Sequence, residues 1–205
     1  MTGIIDYGVG NLFSLAGSLK AIGADVRFIK EAKELDTCDR VILPGVGAFR
    51  DAAEKLHDTG LDEAVVNTAE KGVPLLGICL GMQLLFDKSY EFGEFRGLSL
   101  IKGEVVSMEG RVPPGLKIPQ IGWNSLRFPR EREKSRLYKY TEEGTNVYFV
   151  HSFFAVDCDE SVSAFTDYGI DITASAESGN VFGMQFHPEK SGNAGLMMLR
   201  AFLEV

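Results

Sequence analysis

The sequence predicts an α/β fold in three layers: a mostly parallel central sheet covered by helices, with antiparallel strands added to it. Three observations carry this. Up to Phe86, short apolar runs alternate with amphipathic segments of helical period, the pattern of a parallel sheet covered on both faces. Beyond Phe86 the apolar segments shorten into strand candidates separated by turns, which reads as antiparallel pairing. The chain has 205 residues, 45% hydrophobic and 24% charged, enough for one full-sized core and too little for two, so residues 1–205 are expected to form one domain.

Residues Gly3–Asp6 read as the first strand and Tyr7–Asn11 as a loop. Asn11 is placed to cap a helix with Leu12, Leu15, Leu19 and Ile22 on one face, stopped by Gly23. Gly8 and Gly10 suggest a dinucleotide fingerprint, but Phe13 stands where its third glycine belongs. The second strand, Asp25–Ile29, closes on Lys30 where the ribose-binding acid would be, so that reading is rejected. Asp39–Leu43 is the next strand. It runs into Pro44-Gly45-Val46-Gly47-Ala48-Phe49, a loop at a strand's carboxyl end, where open α/β sheets bind ligands. Its glycines leave the backbone free to present N–H groups, as an oxyanion hole requires. Helical patterns follow at Asp51–His57 and Leu61–Lys71. An apolar run, Val73–Ile78, then reads as a buried strand, and Met82–Phe86 as a helix.

In the second half, Gly103–Val106, Asn124–Phe128, Asn146–Val150, Val162–Phe165 and Asp171–Ala174 are strand candidates. Val181–Phe186 is a last core strand and Leu196–Leu203 a closing helix. The net charge of −8 argues against a nucleic-acid partner. The basic cluster Arg127, Arg130, Arg132, Lys134, Arg136 and Lys139 is interleaved with Glu131 and Glu133 and reads as a solvated segment. No apolar run is long enough to span a membrane, and Met1–Ile4 does not begin a secretory signal, so the cytoplasm is the expected location. The three cysteines, Cys38, Cys79 and Cys158, lack the spacing of a zinc site or a disulfide framework.

Cys79 lies between strand and helix with Gly77 and Gly81 two residues away on either side. That is the strand–turn–helix spelling of a nucleophile elbow, with cysteine in place of serine. A buried structural cysteine between packing glycines spells the same pattern, so the general base must decide. Of the three histidines, His57 sits in a helix beside Asp58 and reads as surface. His151 and His187 each stand at a strand end. His187 is followed by Pro188, which favours an extended backbone, and in an extended segment Glu189 shares a side with His187. A carboxylate there would fix the imidazole tautomer and leave the other nitrogen for the cysteine.

Gly77-Ile78-Cys79-Leu80-Gly81-Met82-Gln83, with Pro44–Gly47 upstream and Gln185-Phe186-His187-Pro188-Glu189 downstream, resembles the class I, triad-type glutamine amidotransferases. Ile5–Leu12, Pro44–Phe49, Gly122-Trp123-Asn124, Tyr148–Ser152 and His187–Ser191 narrow the resemblance to the glutaminase subunits of imidazole glycerol phosphate synthases, and cover the chain from end to end. The resemblance implies a flavodoxin-like fold and a single amidotransferase domain. Cys79 would attack the side-chain amide of glutamine, with His187 as base and acid and Glu189 orienting it. Gly45, Val46, Gly47 and Leu80 would supply the oxyanion hole. Gln83 would face the substrate, and main-chain groups of His151, Ser152 and Phe153 would hold its amino-acid end. Phe153 stands where many relatives have tyrosine. No cofactor or metal is implied. A (β/α)8-barrel cyclase subunit would form a heterodimer with this chain. It would receive the ammonia through a tunnel and make imidazole glycerol phosphate and AICAR from PRFAR in histidine biosynthesis. Asn11, Trp123, Tyr148 and Lys190 are the expected docking face and gate. An amidotransferase subunit of another pathway, and a non-catalytic regulatory module of the same fold, are the alternatives.

Overall fold

A computed structural model describes residues 1–205. The first half is β1 (Thr2–Ile5), α1 (Leu12–Ala21), β2 (Val26–Ile29), β3 (Arg40–Gly45), α2 (Phe49–Asp58), α3 (Leu61–Glu70), β4 (Leu75–Cys79) and α4 (Leu80–Leu84). The second is β5 (Lys88–Ser89), β6 (Phe95–Arg96), β7 (Glu104–Ser107), β8 (Gln120–Arg127), β9 (Asn146–His151), β10 (Phe153–Val156), β11 (Val162–Asp167), β12 (Asp171–Ser178), β13 (Val181–Met184) and α5 (Gly192–Leu203). Short 3-10 turns lie at Ala32–Thr37, Arg136–Tyr138 and Pro188–Lys190. No helix is long and apolar enough to cross a membrane.

Nine strands form one sheet in the order β2-β1-β3-β4-β13-β12-β11-β8-β9. The five from β2 to β13 are parallel, and every pairing from β13 outward to β9 is antiparallel. Alternation along the strands sends neighbouring residues to opposite cores. On β1, Ile5 joins the core under α2 and α3, with Phe49, Leu56, Leu61 and Val65, while Ile4 joins the core under α1 and α5, with Leu15, Leu19, Leu199 and Phe202. This is the α/β architecture expected, with the sheet more mixed than the sequence suggests: its parallel and antiparallel pairings are equal in number.

Helix α1 ends as its sequence dictates. Gly23 takes φ +85°, and the N–H groups of Gly23 and Ala24 return to the carbonyls of Lys20 and Leu19, a Schellman arrangement. Its start differs: Asn11 precedes the helix, but its side chain makes no capping hydrogen bond.

One strand expected in the main sheet is elsewhere. β7 belongs to a second sheet, ordered β10-β7-β5-β6. The chain bends after β9, where Nδ1 of His151 meets the carbonyl of Phe153 at 2.8 Å, so β10 starts in a different plane. Phe154 and Val106 of this sheet pack with Met108 against Ile172 of β12. Strands β5 and β6, two residues each, are too short for any periodicity to reveal.

The tightest contact lies between β3, β4 and α4. A methyl group at Gly81 would sit 1.8 Å from the carbonyl oxygen of Leu43, and one at Gly77 would sit 2.5 Å from the carbonyl oxygen of Gly81. Both obstacles are backbone and cannot swing aside. Gly81→Ala is therefore expected to destabilise the fold by about 3 kcal/mol. Denaturant unfolding should show a lowered midpoint; an unchanged midpoint would mean that β3 and α4 can separate without cost.

Candidate active site

Cys79 ends β4 and turns the chain into α4 within one residue. It does so at φ +55° and ψ −113°, a conformation that a side chain-bearing residue adopts only under constraint. Because the turn is complete at Cys79, the helix starts at Leu80, two residues before the periodicity suggests. On one side β3 is in register as far as Gly45 opposite Cys79; on the other, β13 is in register as far as Met184 opposite Ile78. The oxyanion-loop candidate and the segment carrying His187 therefore leave the same sheet edge as the cysteine.

The Pro44–Gly47 loop lies directly against the elbow. A methyl at Gly45 would be 2.8 Å from the nitrogen of Gly81 and 3.0 Å from Cβ of Leu80. Gly47 takes φ +96°, and the N–H groups of Val46 and Gly47 donate to no other backbone group. The hydroxyl of buried Tyr7 donates to the carbonyl of Pro44 at 2.8 Å. Burial pushes the Tyr7 phenol well above its usual range, with the nearby Cys79 adding to the rise, so it stays a neutral donor.

His187 is braced from three directions. Its N–H donates to the carbonyl of Tyr148 at 2.9 Å, its carbonyl accepts from the Ser191 hydroxyl at 2.7 Å, and its Nδ1 lies 2.8 Å from Oε1 of Glu189. The route to that last contact corrects the extended His-Pro-Glu expectation. His187 itself is extended, as Pro188 demands, but Pro188–Lys190 then form a 3-10 turn, and it is this turn that brings Glu189 back to the imidazole. A carboxylate accepts, so Nδ1 carries a proton and Nε2 is the nitrogen left to exchange one with the cavity. Nε2 has no hydrogen-bond partner within the chain. Burial alone would lower the pKa of His187; the closeness of the Cys79 sulfur and the bond and charge of Glu189 outweigh it and raise the pKa to about 9.

A cavity of about 360 Å³ opens over the sulfur, lined by Val46, Gly47, Cys79, Leu80, Gln83, Val150, His151, Ser152, Phe153 and His187, all but one of them expected site residues. This is the size class of a small-molecule site. The cavity also receives Glu91 and Phe92, which no sequence signal marked, because they follow β5 in an irregular segment. One oxygen of Glu91 accepts from the N–H of Phe49 at 2.6 Å, which fixes the start of α2 and aims the carboxylate. Phe92, at φ +56°, stacks edge-on against Phe153.

The structure restricts what the His151–Phe153 segment can offer. The carbonyl of Ser152 is taken by the N–H of Met108, and that of Phe153 by the Gln83 amide and by His151 Nδ1. The Ser152 N–H donates to no other backbone group, so the segment presents a donor. The His151 imidazole is buried and neutral; burial first, then the proximity of His187, lower its pKa to about 4.

The family model described as "Glutamine amidotransferase class-I" matches residues 3–205. The chain belongs to the class I glutamine amidotransferases. It is 50% identical to "Imidazole glycerol phosphate synthase subunit HisH" of Wolinella succinogenes, over 100% of both chains. It is 47% identical to the protein of that name from Moorella thermoacetica, over 98% of this chain and 93% of the other. The solved structure described as "Crystal structure of glutamine amidotransferase" superposes with a TM-score of 0.77 over 99% of this chain and 97% of the other, at 18% identity, a likeness of fold.

Outside the cavity, this amidotransferase presents an aromatic patch. Trp123 is 55% exposed, with Ile121 beside it on the same side of β8. Tyr148 stacks edge-on against Trp123 at 6.0 Å, and Nζ of Lys190 lies 5.9 Å from the Tyr148 ring centre. Trp123 is thus a surface residue and not core. Asn11 lines a narrow cleft with Pro44, Val46, His187 and Glu189, on the loop side of the site. The remaining polar expectations are met at the surface. His57 is exposed and pairs with Asp62, and Arg127, Arg136 and Lys139 pair with Asp171, Glu177 and Glu204. Cys38 and Cys158 are unpaired core residues, and burial pushes the Cys158 thiol up to about 11.

Tyr7→Phe should leave the Pro44 carbonyl without its buried donor at a cost of about 1–3 kcal/mol. Glutamine hydrolysis is expected to fall together with thermal stability, and the two measured side by side check it. Unchanged turnover would show that the loop holds its shape without Tyr7.

Proposed function

We infer that this chain is the glutamine-hydrolysing subunit of an imidazole glycerol phosphate synthase, a single amidotransferase domain acting in the cytoplasm. The observation that carries the chemistry is the trio at one sheet edge: Cys79 strained at the elbow, His187 beside it, and Glu189 on its Nδ1 at 2.8 Å. Glutamine enters the cavity with its amino-acid end toward Glu91 and Ser152. The Glu91 carboxylate suits the α-ammonium, and the free N–H of Ser152 suits the α-carboxylate.

The Cys79 sulfur attacks the amide carbon, and its proton passes to Nε2 of His187. Negative charge on the amide oxygen meets the N–H groups of Val46, Gly47 and Leu80. His187 returns the proton to the leaving nitrogen, ammonia departs and a glutamyl thioester remains. Water, giving a proton to His187, then opens the thioester to glutamate and restores the thiol. Atoms balance as glutamine plus water to glutamate plus ammonia, with no cofactor.

Free ammonia would be protonated in water and lost, so the product requires a receiving partner. The proposed partner is a (β/α)8-barrel cyclase that uses the ammonia to make imidazole glycerol phosphate and AICAR from PRFAR. The exposed Trp123, Tyr148 and Lys190 group, with Asn11, is the face it would cover, since aromatic residues at a surface favour interfaces. The neighbouring loop gives the partner a means of control: one oxyanion donor is worth about 2.7–4 kcal/mol of barrier, so reorienting Val46 would switch the site.

A coupled assay tests reaction, partner and control together. Cys79→Ala is expected to abolish glutamine-dependent synthesis by the complex while ammonia-dependent synthesis persists. The chain alone is expected to hydrolyse glutamine slowly and to accelerate when cyclase and nucleotide are added. Joint loss of both syntheses would refute the division of labour, and full activity of the lone chain would refute the loop switch.

A further inference from the structure

Gln185 has no role in the chemistry derived so far, yet its side chain is fully buried beside the nucleophile. It follows β13 directly, and its amide Nε2 lies 3.8 Å from Sγ of Cys79, a hydrogen-bond distance for sulfur. The orientation of that amide is set by the chain. Nε2 of Gln83 donates to the carbonyl of Phe153 and to Oε1 of Gln185, both at 3.0 Å. A backbone carbonyl can only accept, so Gln83 must present its NH2 group there. Oε1 of Gln185 is then the acceptor, and the NH2 end of Gln185 is the one that faces sulfur. Turning either amide over would set oxygen against oxygen or nitrogen against nitrogen.

The other hydrogen-bond partner of the sulfur makes this donor matter. Sγ lies 3.9 Å from the carbonyl of Val150, to which the thiol donates. Once the thiol proton leaves, that contact sets two negative atoms together and pushes the sulfur away. The Gln185 N–H then holds it. We propose that Gln185 is a further catalytic residue: its amide N–H donates to the Cys79 sulfur and holds it in place when charged, and Gln83 positions that amide. A methionine or leucine would fill the same buried volume without the cost of burying an amide, so packing alone does not call for glutamine.

The proposal rests on Cys79 being the nucleophile, and the experiment separates the two. Gln185→Met keeps the length and removes both polar atoms. Gln185→Glu keeps an acceptor for Gln83 and sets a carboxylate oxygen, which accepts and carries charge, in place of the donor toward sulfur. Two rates are measured for each variant: carboxamidomethylation of Cys79 by iodoacetamide near neutral pH, followed by mass spectrometry of its peptide, and glutamine hydrolysis by the chain with its synthase partner. A hydrogen bond to a charged group, lost, should slow both by about 10- to 100-fold, with KM for glutamine within about twofold of the unchanged protein. Melting temperatures identify any variant that fails to fold, and the other then decides. Unchanged alkylation, with or without loss of kcat, would overturn the proposal, as would a rise in KM with kcat intact. Glutamine hydrolysis by Cys79→Ala would instead refute the nucleophile assignment.

Discussion

The contact between Gly81 and the carbonyl oxygen of Leu43 is what the rest of the site depends on. Only a residue without a side chain lets α4 start this close to β3, since a methyl would stand 1.8 Å from that oxygen. Gly77 does the same one turn earlier, against the carbonyl of Gly81. Together they let the chain reverse at Cys79 alone, and the reversal puts that residue in a left-handed conformation. The strain is held by the sheet, with β3 and β13 in register on either side of β4. Those same two strands carry the Pro44–Gly47 loop and the His187 segment off their ends. Backbone proximity therefore fixes how Cys79, loop and histidine are spaced before any side-chain contact is counted.

A second constraint is electrostatic. His187 and Glu189 have side chains only 3% and 4% exposed, and a buried charge is tolerated only where it is paired and its other polar atoms are satisfied. Nδ1 and Oε1 satisfy each other, whereas Nε2 of His187 and Oε2 of Glu189 have no partner in the chain. The fold tolerates this because the histidine backbone is anchored on both sides, through Tyr148 and through Ser191, whose hydroxyl also accepts from the Tyr148 N–H. The unpaired nitrogen is thus held by bonds that do not involve it, in a residue that lines the same cavity as Cys79. Tyr148 shares its backbone with this brace and its ring with the aromatic patch, so the patch and His187 are mechanically one unit.

The parallel half of the fold was readable because its strands are buried on both faces and its helices are long enough to show a period. The elbow was readable for a different reason: glycine spacing reports a steric requirement directly. Glu189 was found through an extended backbone that exists only at His187; the turn that delivers it depends on Ser191 and α5, neither of which a tripeptide reveals. Glu91 and Phe92 were missed because they lie in an irregular stretch whose only order comes from tertiary contacts with Phe49 and Phe153. The second sheet was missed for a similar reason. Its two shortest strands exist because β7 is there for β5 to pair with and β5 for β6, and no local propensity marks them.

The carbonyl of Phe153 ties the cavity wall to the placement of the cysteine. It accepts from His151 Nδ1, which fixes that imidazole, and from Gln83 Nε2, which fixes both glutamine amides. A movement of the His151–Phe153 segment would therefore be felt at the sulfur through two amides, without any displacement of the elbow. Since this segment continues directly from β9, whose Tyr148 stands on the aromatic patch, the patch is joined to Cys79 by backbone and by hydrogen bonds through Phe153, Gln83 and Gln185. The loop at Val46, which continues β3, lines the same cavity. Two backbone segments thus border one cavity around the sulfur, the loop with N–H groups that donate to no other backbone group and the His151–Phe153 segment with a carbonyl that holds the amide aimed at the sulfur.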